Sequence, residues 1–159
     1  MTALLALIAA LALVAAARWW RWFRLSPARA ERDRIRADTG SAQFIAAPGN
    51  RRLGTTWRPG LLTVSRGHVR MWQVAGGQLH LAEEFPAETV RLSATRVPLS
   101  ELRSLPGVRL ITPDRELSLM LLKDGPMLSP VTDPGFELAY ATLQRAQRPE
   151  DLKPPGQRQ

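Results

Sequence analysis

The chain has 159 residues, 45% of them hydrophobic, with 22 Lys and Arg against 14 Asp and Glu for a net charge of +8, and no cysteine. That length suits one small domain rather than two, and the lack of cysteine excludes disulfides and thiolate metal sites. The basicity is local, +5 within Arg18–Arg36 and only +3 over Ala37–Gln159, so nucleic acid is not an expected partner.

The first element is the uncharged run Thr2 to Ala17, which passes without a linker into Arg18, Trp19, Trp20, Arg21, Trp22, Phe23 and Arg24. Spanning a hydrocarbon core of about 30 Å takes roughly 20 mostly apolar helical residues. The run alone is slightly short of that. The aromatic residues extend it to headgroup level, and Arg18 and Arg21 snorkel outward. The expectation is a single-pass transmembrane anchor over residues 1–24, with these seven aromatic and basic residues at the membrane interface. A cleaved signal peptide is the competing reading, with Ala15-Ala16-Ala17 as small residues for a cleavage site. Against it, no positive residue precedes the apolar run, while seven arginines between Arg18 and Arg36 follow it. Positive charge resists translocation, so the N-terminus is expected outside and the rest of the chain in the cytoplasm, at the cell membrane. The basic neck is expected to attract anionic lipids.

Ser26-Pro27 interrupts the helical pattern, and Ala28 to Asp38 alternates in charge with almost no apolar face. Residues 25–40 therefore read as a solvated juxtamembrane spacer, ended by Thr39-Gly40. Gln43 to Ala47 reads as a first short strand before the turn cluster Pro48-Gly49-Asn50. From Arg51 to Leu122, short apolar-alternating stretches separated by Gly, Pro and Asp, with Arg58-Pro59-Gly60 read as one of the turns, predict an all-β arrangement of six or seven strands. Gly76-Gly77 predicts a two-residue hairpin between Met71–Val74 and Gln78–Leu81, because glycine reaches the positive φ that such turns need. Glu88 to Val97 reads as a long strand stopped by Pro98, and Leu99 to Gly107 as a helical turn or irregular crossing closed by Pro106-Gly107. Val108–Thr112 and Arg115–Leu122 flank a turn at Pro113-Asp114. Leu117, Leu119 and Leu121 share one face of that last strand while Met120 and Leu122 share the other, which predicts a central or covered strand.

Asp133-Pro134 starts a helix whose apolar stripe is Phe136, Ala139, Tyr140, Leu143 and Ala146. Residues 149–159 read as a disordered tail. Several short antiparallel strands and one amphipathic helix imply a mainly β domain over residues 41–148, a small curled sheet or partly open barrel capped by its C-terminal helix. The order of Arg58-Pro59-Gly60-Leu61-Leu62, the Val108–Leu122 hairpin and the Asp133–Arg148 helix resembles a pleckstrin-homology-like domain. With its anchor and arginine-rich neck, the chain also resembles small single-pass actinobacterial membrane proteins of unknown function. That resemblance implies a binding or scaffolding role.

No residue pattern carries a catalytic signature, so catalytic, metal and cofactor sites are all expected to be absent. His68 and His80 lack ligand spacing, and Ser65, His68 and Asp114 lack a nucleophile-elbow context. Glu83 and Glu84 are adjacent, so in a strand their carboxylates would point to opposite faces, and they read as part of a solvated loop. The pleckstrin resemblance directs attention to Arg51, Arg52, Arg58, Arg66 and Arg70 as anion or lipid contacts, although the basic-pair spacing of that family is missing. Trp57 and Trp72 read as core or core-edge residues. The expected function is that of a membrane-tethered cytoplasmic interaction module for an unidentified protein partner. Sensing of anionic lipid by the domain is the alternative, and a membrane-bound hydrolase the least favoured.

Overall fold

The computed structural model of the chain describes residues 2–48, 57–100, 103–125 and 128–147, with the side chains of 2–5, 18, 19, 21–23 and 100 outside that description. Helix α1 (Thr2–Thr39) comes first. The strands are β1 (Ala42–Pro48), β2 (Trp57–Val64), β3 (His68–Ala75), β4 (Gln78–Pro86), β5 (Arg91–Ser100), β6 (Arg103–Ile111), β7 (Glu116–Lys123) and the two-residue β8 (Ser129–Pro130). A 3-10 turn at Ala87–Thr89 joins β4 to β5, and helix α2 (Asp133–Gln147) closes the fold.

The strands form one antiparallel sheet ordered β4-β3-β2-β1-β7-β6-β5, with β8 beside β7. The order ends on β4 and β5, so the sheet is open. The sheet nonetheless curls enough to bring the β6–β7 turn onto β4: Arg115 in that turn ion-pairs with Glu83 and stands 5.8 Å over the Phe85 ring.

Alternation along the central strands sorts apolar side chains into two cores. Ile45, Leu62, Val64, Leu119 and Leu121 join Val108, Leu110, Phe136 and Leu143 on the side that α2 covers. Phe44, Ala46, Leu61, Met120 and Leu122 form the second core on the opposite side, with Trp57, Trp72 and the α1 residue Ile35 packed against it. Strand β7 lies between β1 and β6, which is why both of its faces are apolar. All five residues of the α2 stripe meet the first core, and burying Phe136 and Leu143 stabilises it by about 1.5–3 kcal/mol each. The helix is capped one residue earlier than Asp133, since the Thr132 carbonyl accepts from the Gly135 and Phe136 N–H groups at 3.0 Å.

Several local expectations need correction. Pro27 lies inside α1 instead of interrupting it. Proline costs about 3 kcal/mol in a helix interior, and the helix continues because the residues beyond it are held on the sheet: Ala28 is fully buried and Arg29 only 8% exposed. Residues 25–40 are therefore solvated on one side only. Their packed face, Leu25, Ala28, Arg32, Ile35 and Thr39, steps by 3, 4, 3 and 4 residues, the repeat of a helical seam.

Pro98 does not stop β5, and Leu99 to Gly107 is not a helical crossing. The β5–β6 pairing runs from Arg91↔Ile111 to Ser100↔Arg103, with Pro98 opposite Ser104 and Pro106 opposite Arg96. Both prolines are tolerated because β5 is an edge strand and the β6–β7 ladder starts only at Gly107↔Met120, leaving Pro106 no partner on that side. Arg58-Pro59-Gly60 is strand rather than turn, with Gly60 between Ile45 and Gln73. A Cβ there would strike the Trp72 carbonyl oxygen, so the close approach of β3 requires glycine. Glu83 and Glu84 belong to β4, not to a loop. The segments 49–56 and 149–159 lie outside the described residues.

Candidate functional site

Antiparallel pairing places the β3–β4 turn, the end of β1 and the start of β2 at one pole of the sheet. The turn is built on Gly76 and Gly77, with φ of +61° and +83°, conformations that suit a two-residue hairpin. Gly77 has a second role. A Cβ on it would collide with the Arg24 carbonyl oxygen, so the bare glycine backbone is the seat on which α1 enters the domain.

From Arg24 the helix descends along the second core and ends at Gly40, whose N–H donates to the Arg36 carbonyl at 2.8 Å with φ +75°. Two arginines one turn apart fix it there. Arg29 Nε donates to Asp124 Oδ1 at 2.8 Å and Arg32 Nη1 to Oδ2 at 2.6 Å. Arg29 also donates to the Gly125 carbonyl, and the Arg32 guanidinium lies 5.0 Å over the Phe44 ring. Burial alone would raise the Asp124 pKa, but the hydrogen bonds from Arg29 and Arg32 outweigh it and hold the carboxyl below its ordinary value. Burial would likewise lower Arg32, yet Asp33 and Asp124 keep it above its ordinary value. The latch joins the neck to the end of β7.

Above the latch, between α1 and the sheet pole, lies a cavity of about 750 Å³ lined by Leu25, Trp57, Val74, Leu99, Met120 and Leu128 among others. Arg24 is the one charged residue among the described lining. Its guanidinium stacks 5.3 Å over the Trp20 ring. Beyond Arg24, the helix carries Leu7, Ile8, Leu11, Leu13 and Val14, each between 55% and 72% exposed. Among the described residues, no helix is long and apolar enough to cross a membrane.

Of the interface residues expected from sequence, Trp20 and Arg24 have described side chains, and Arg18, Trp19, Arg21, Trp22 and Phe23 share the same helix. The five arginines singled out for anions do not converge. Arg51 and Arg52 lie outside the described residues. Arg58 lies at the start of β2 and Arg66 in the turn beyond its other end, with about 20 Å of strand between Arg58 and Val64. Arg70 is engaged by Glu84, with Nε to Oε1 at 2.9 Å.

His68 approaches the same carboxylate at 3.6 Å, while His80 pairs with Gln73 about 17 Å further along the ladder. Ser65 Oγ donates to the His68 backbone carbonyl rather than to the imidazole. Among the described residues no group of His, Asp and Glu is placed to hold a metal. The Arg29–Asp124–Arg32 latch escaped the sequence reading. The 3-4 spacing around Ala28 and Ile35 was its available signal, obscured because an arginine with a buried stem counts as polar. Compared with known proteins, the chain matches no protein-family model and no curated sequence.

Proposed function

We propose that the chain is a single-pass membrane protein whose α1 anchors a pleckstrin-homology-like domain at the cytoplasmic face, where it serves as an interaction module for a protein partner. The observation that carries this reading is the division of α1. The half richest in Leu, Ile and Ala has its described side chains exposed, whereas the charged half packs one face on the sheet through Ala28, Arg29 and Ile35. An apolar stretch of that kind is unfavourable in water and needs a non-aqueous surrounding. From Thr2 to Phe23 the helix is about 33 Å long, close to the hydrocarbon thickness. The arginines that follow it favour a cytoplasmic domain.

The strand order, with four strands continuous through β1 and three through β7, and a C-terminal helix over the first core supports the pleckstrin-like assignment. Tethering raises the local concentration of the domain, so modest contacts with a membrane-bound partner become effective. The scattered positions of Arg58, Arg66 and Arg70 favour this role over an arginine clamp on headgroups. A reporter fused after Gln159 is expected to be active inside the cell, and activity only outside would overturn the topology. Crosslinking at the membrane is expected to capture a defined partner that deletion of residues 41–148 loses; unchanged capture would remove the interaction-module role.

A further inference from the structure

The cavity at the sheet pole has a direction as well as a volume. Arg24 meets the β3–β4 turn, and α1 then runs down the sheet to the start of β1 at the opposite pole. Its apolar half therefore leaves the molecule from the pole where the cavity lies. With that half in a bilayer, Arg24, where α1 joins the lining, sets the cavity beside the membrane surface.

We propose that this cavity takes up one acyl chain of a membrane phospholipid from the leaflet beside the domain. The inference rests on the membrane reading of α1. A chain of methylenes suits the lining better than a peptide does. A peptide would bring backbone N–H and C=O groups into a space walled by Trp57, Val74, Met120 and Leu128, and each unpaired group would cost free energy that an acyl chain does not incur. The volume lies within the range of small-molecule sites, roughly 300–1,000 Å³. The gain comes from removing the apolar lining from water, because the lipid exchanges one apolar surrounding for another. Arg24, at the membrane end of the lining, is the residue placed to meet the phosphate.

The test uses the full chain in vesicles of phosphatidylcholine and phosphatidylglycerol that contain a phospholipid with a photoreactive diazirine midway along one acyl chain. After illumination, adducts are mapped by mass spectrometry. Labelling is expected on peptides containing Trp57, Leu99, Met120 or Leu128, together with labelling within residues 2–17. Adducts within 2–17 but none on the lining would overturn the acyl-chain site and leave the tether standing. Adducts in neither place would overturn the tether, and the site with it. Leu99 lines the cavity and is 38% exposed, so Leu99→Glu spares the core. It is expected to lower lining adducts roughly tenfold or more, since an entering acyl chain would have to strip water from the new carboxylate, at a cost above the equivalent change in affinity. Labelling of 2–17 is expected to stay the same. Val74→Trp, which fills the cavity with bulk instead of charge, is expected to do likewise, and undiminished lining adducts in both variants would overturn the proposal.

Discussion

The two halves of α1 follow opposite rules. Residues 2–23 are rich in Leu and Ala, yet the described apolar side chains among them are exposed; residues 24–39 are rich in Arg and Asp, yet Ala28 and Arg29 are buried. In a protein surrounded only by water, the apolar half would be the buried one. The inversion teaches that hydrophobicity alone does not choose which helical surface packs on a domain. Shape and pairing decided it here: a glycine turn that admits the backbone at Arg24, and a carboxylate that receives two arginines.

The comparison can be broken most severely at its apolar end. Replacing both Ile8 and Leu11 by arginine adds about 2.5–3.5 kcal/mol per site to the cost of membrane insertion. The double variant is expected in the soluble fraction after alkaline extraction while the domain keeps its fold. Retention in the membrane pellet would show that the apolar half does not hold the protein there.

The seat of the other half comes next. Gly77→Val forces a β-branched residue to φ +83° and drives its Cβ into the Arg24 carbonyl, which should lower stability by about 3 kcal/mol. Urea unfolding followed by tryptophan fluorescence measures this, and an unchanged midpoint would mean that the neck is not seated on the turn.

A smaller effect is expected at the latch. Asp124→Asn removes the charge that Arg29 and Arg32 share and should cost about 2 kcal/mol. The latch also predicts a pH dependence. With its native carboxyl held below the ordinary value, Asp124 stabilises the fold above about pH 4, and this contribution disappears as pH falls through the lower native value. Thermal unfolding between pH 5 and pH 2 should therefore flatten in Asp124→Asn relative to the parent, and parallel curves would exclude the latch as its source. Arg34→Ala serves as the control on the same helix, since Arg34 is 77% exposed and meets Glu31 at 3.9 Å. Its effect should stay within about 0.5 kcal/mol.

Much of the domain was legible from local chemistry. Gly76-Gly77, Pro113-Asp114 and the stripe from Phe136 to Ala146 each specify a turn or a face through their own backbone and side-chain preferences. The two-sided apolar pattern of Glu116–Lys123 likewise required a central strand. The errors gathered where neighbours override local preference. Pro98 and Pro106 read as breaks because proline lacks a donor, and only the strand order reveals that no ladder partner needed one. Gly60 read as a turn residue, although its lack of a Cβ serves the approach of β3.

The candidate site was less legible than the fold. Its lining comes from α1, β1, β2, β3, β5, β7 and the segment around Leu128, parts of the chain that sequence spacing cannot bring together. What the sequence by itself determined was composition along the chain: an apolar start, a basic neck, alternating strands and one amphipathic helix, because hydrophobic period and turn chemistry act over a few residues. Only the tertiary structure decided that the neck is part of the domain and that α1 leaves from the same pole as the cavity. Those facts depend on contacts such as Arg29 to Asp124, across 95 residues, which patterns acting over a few residues do not specify.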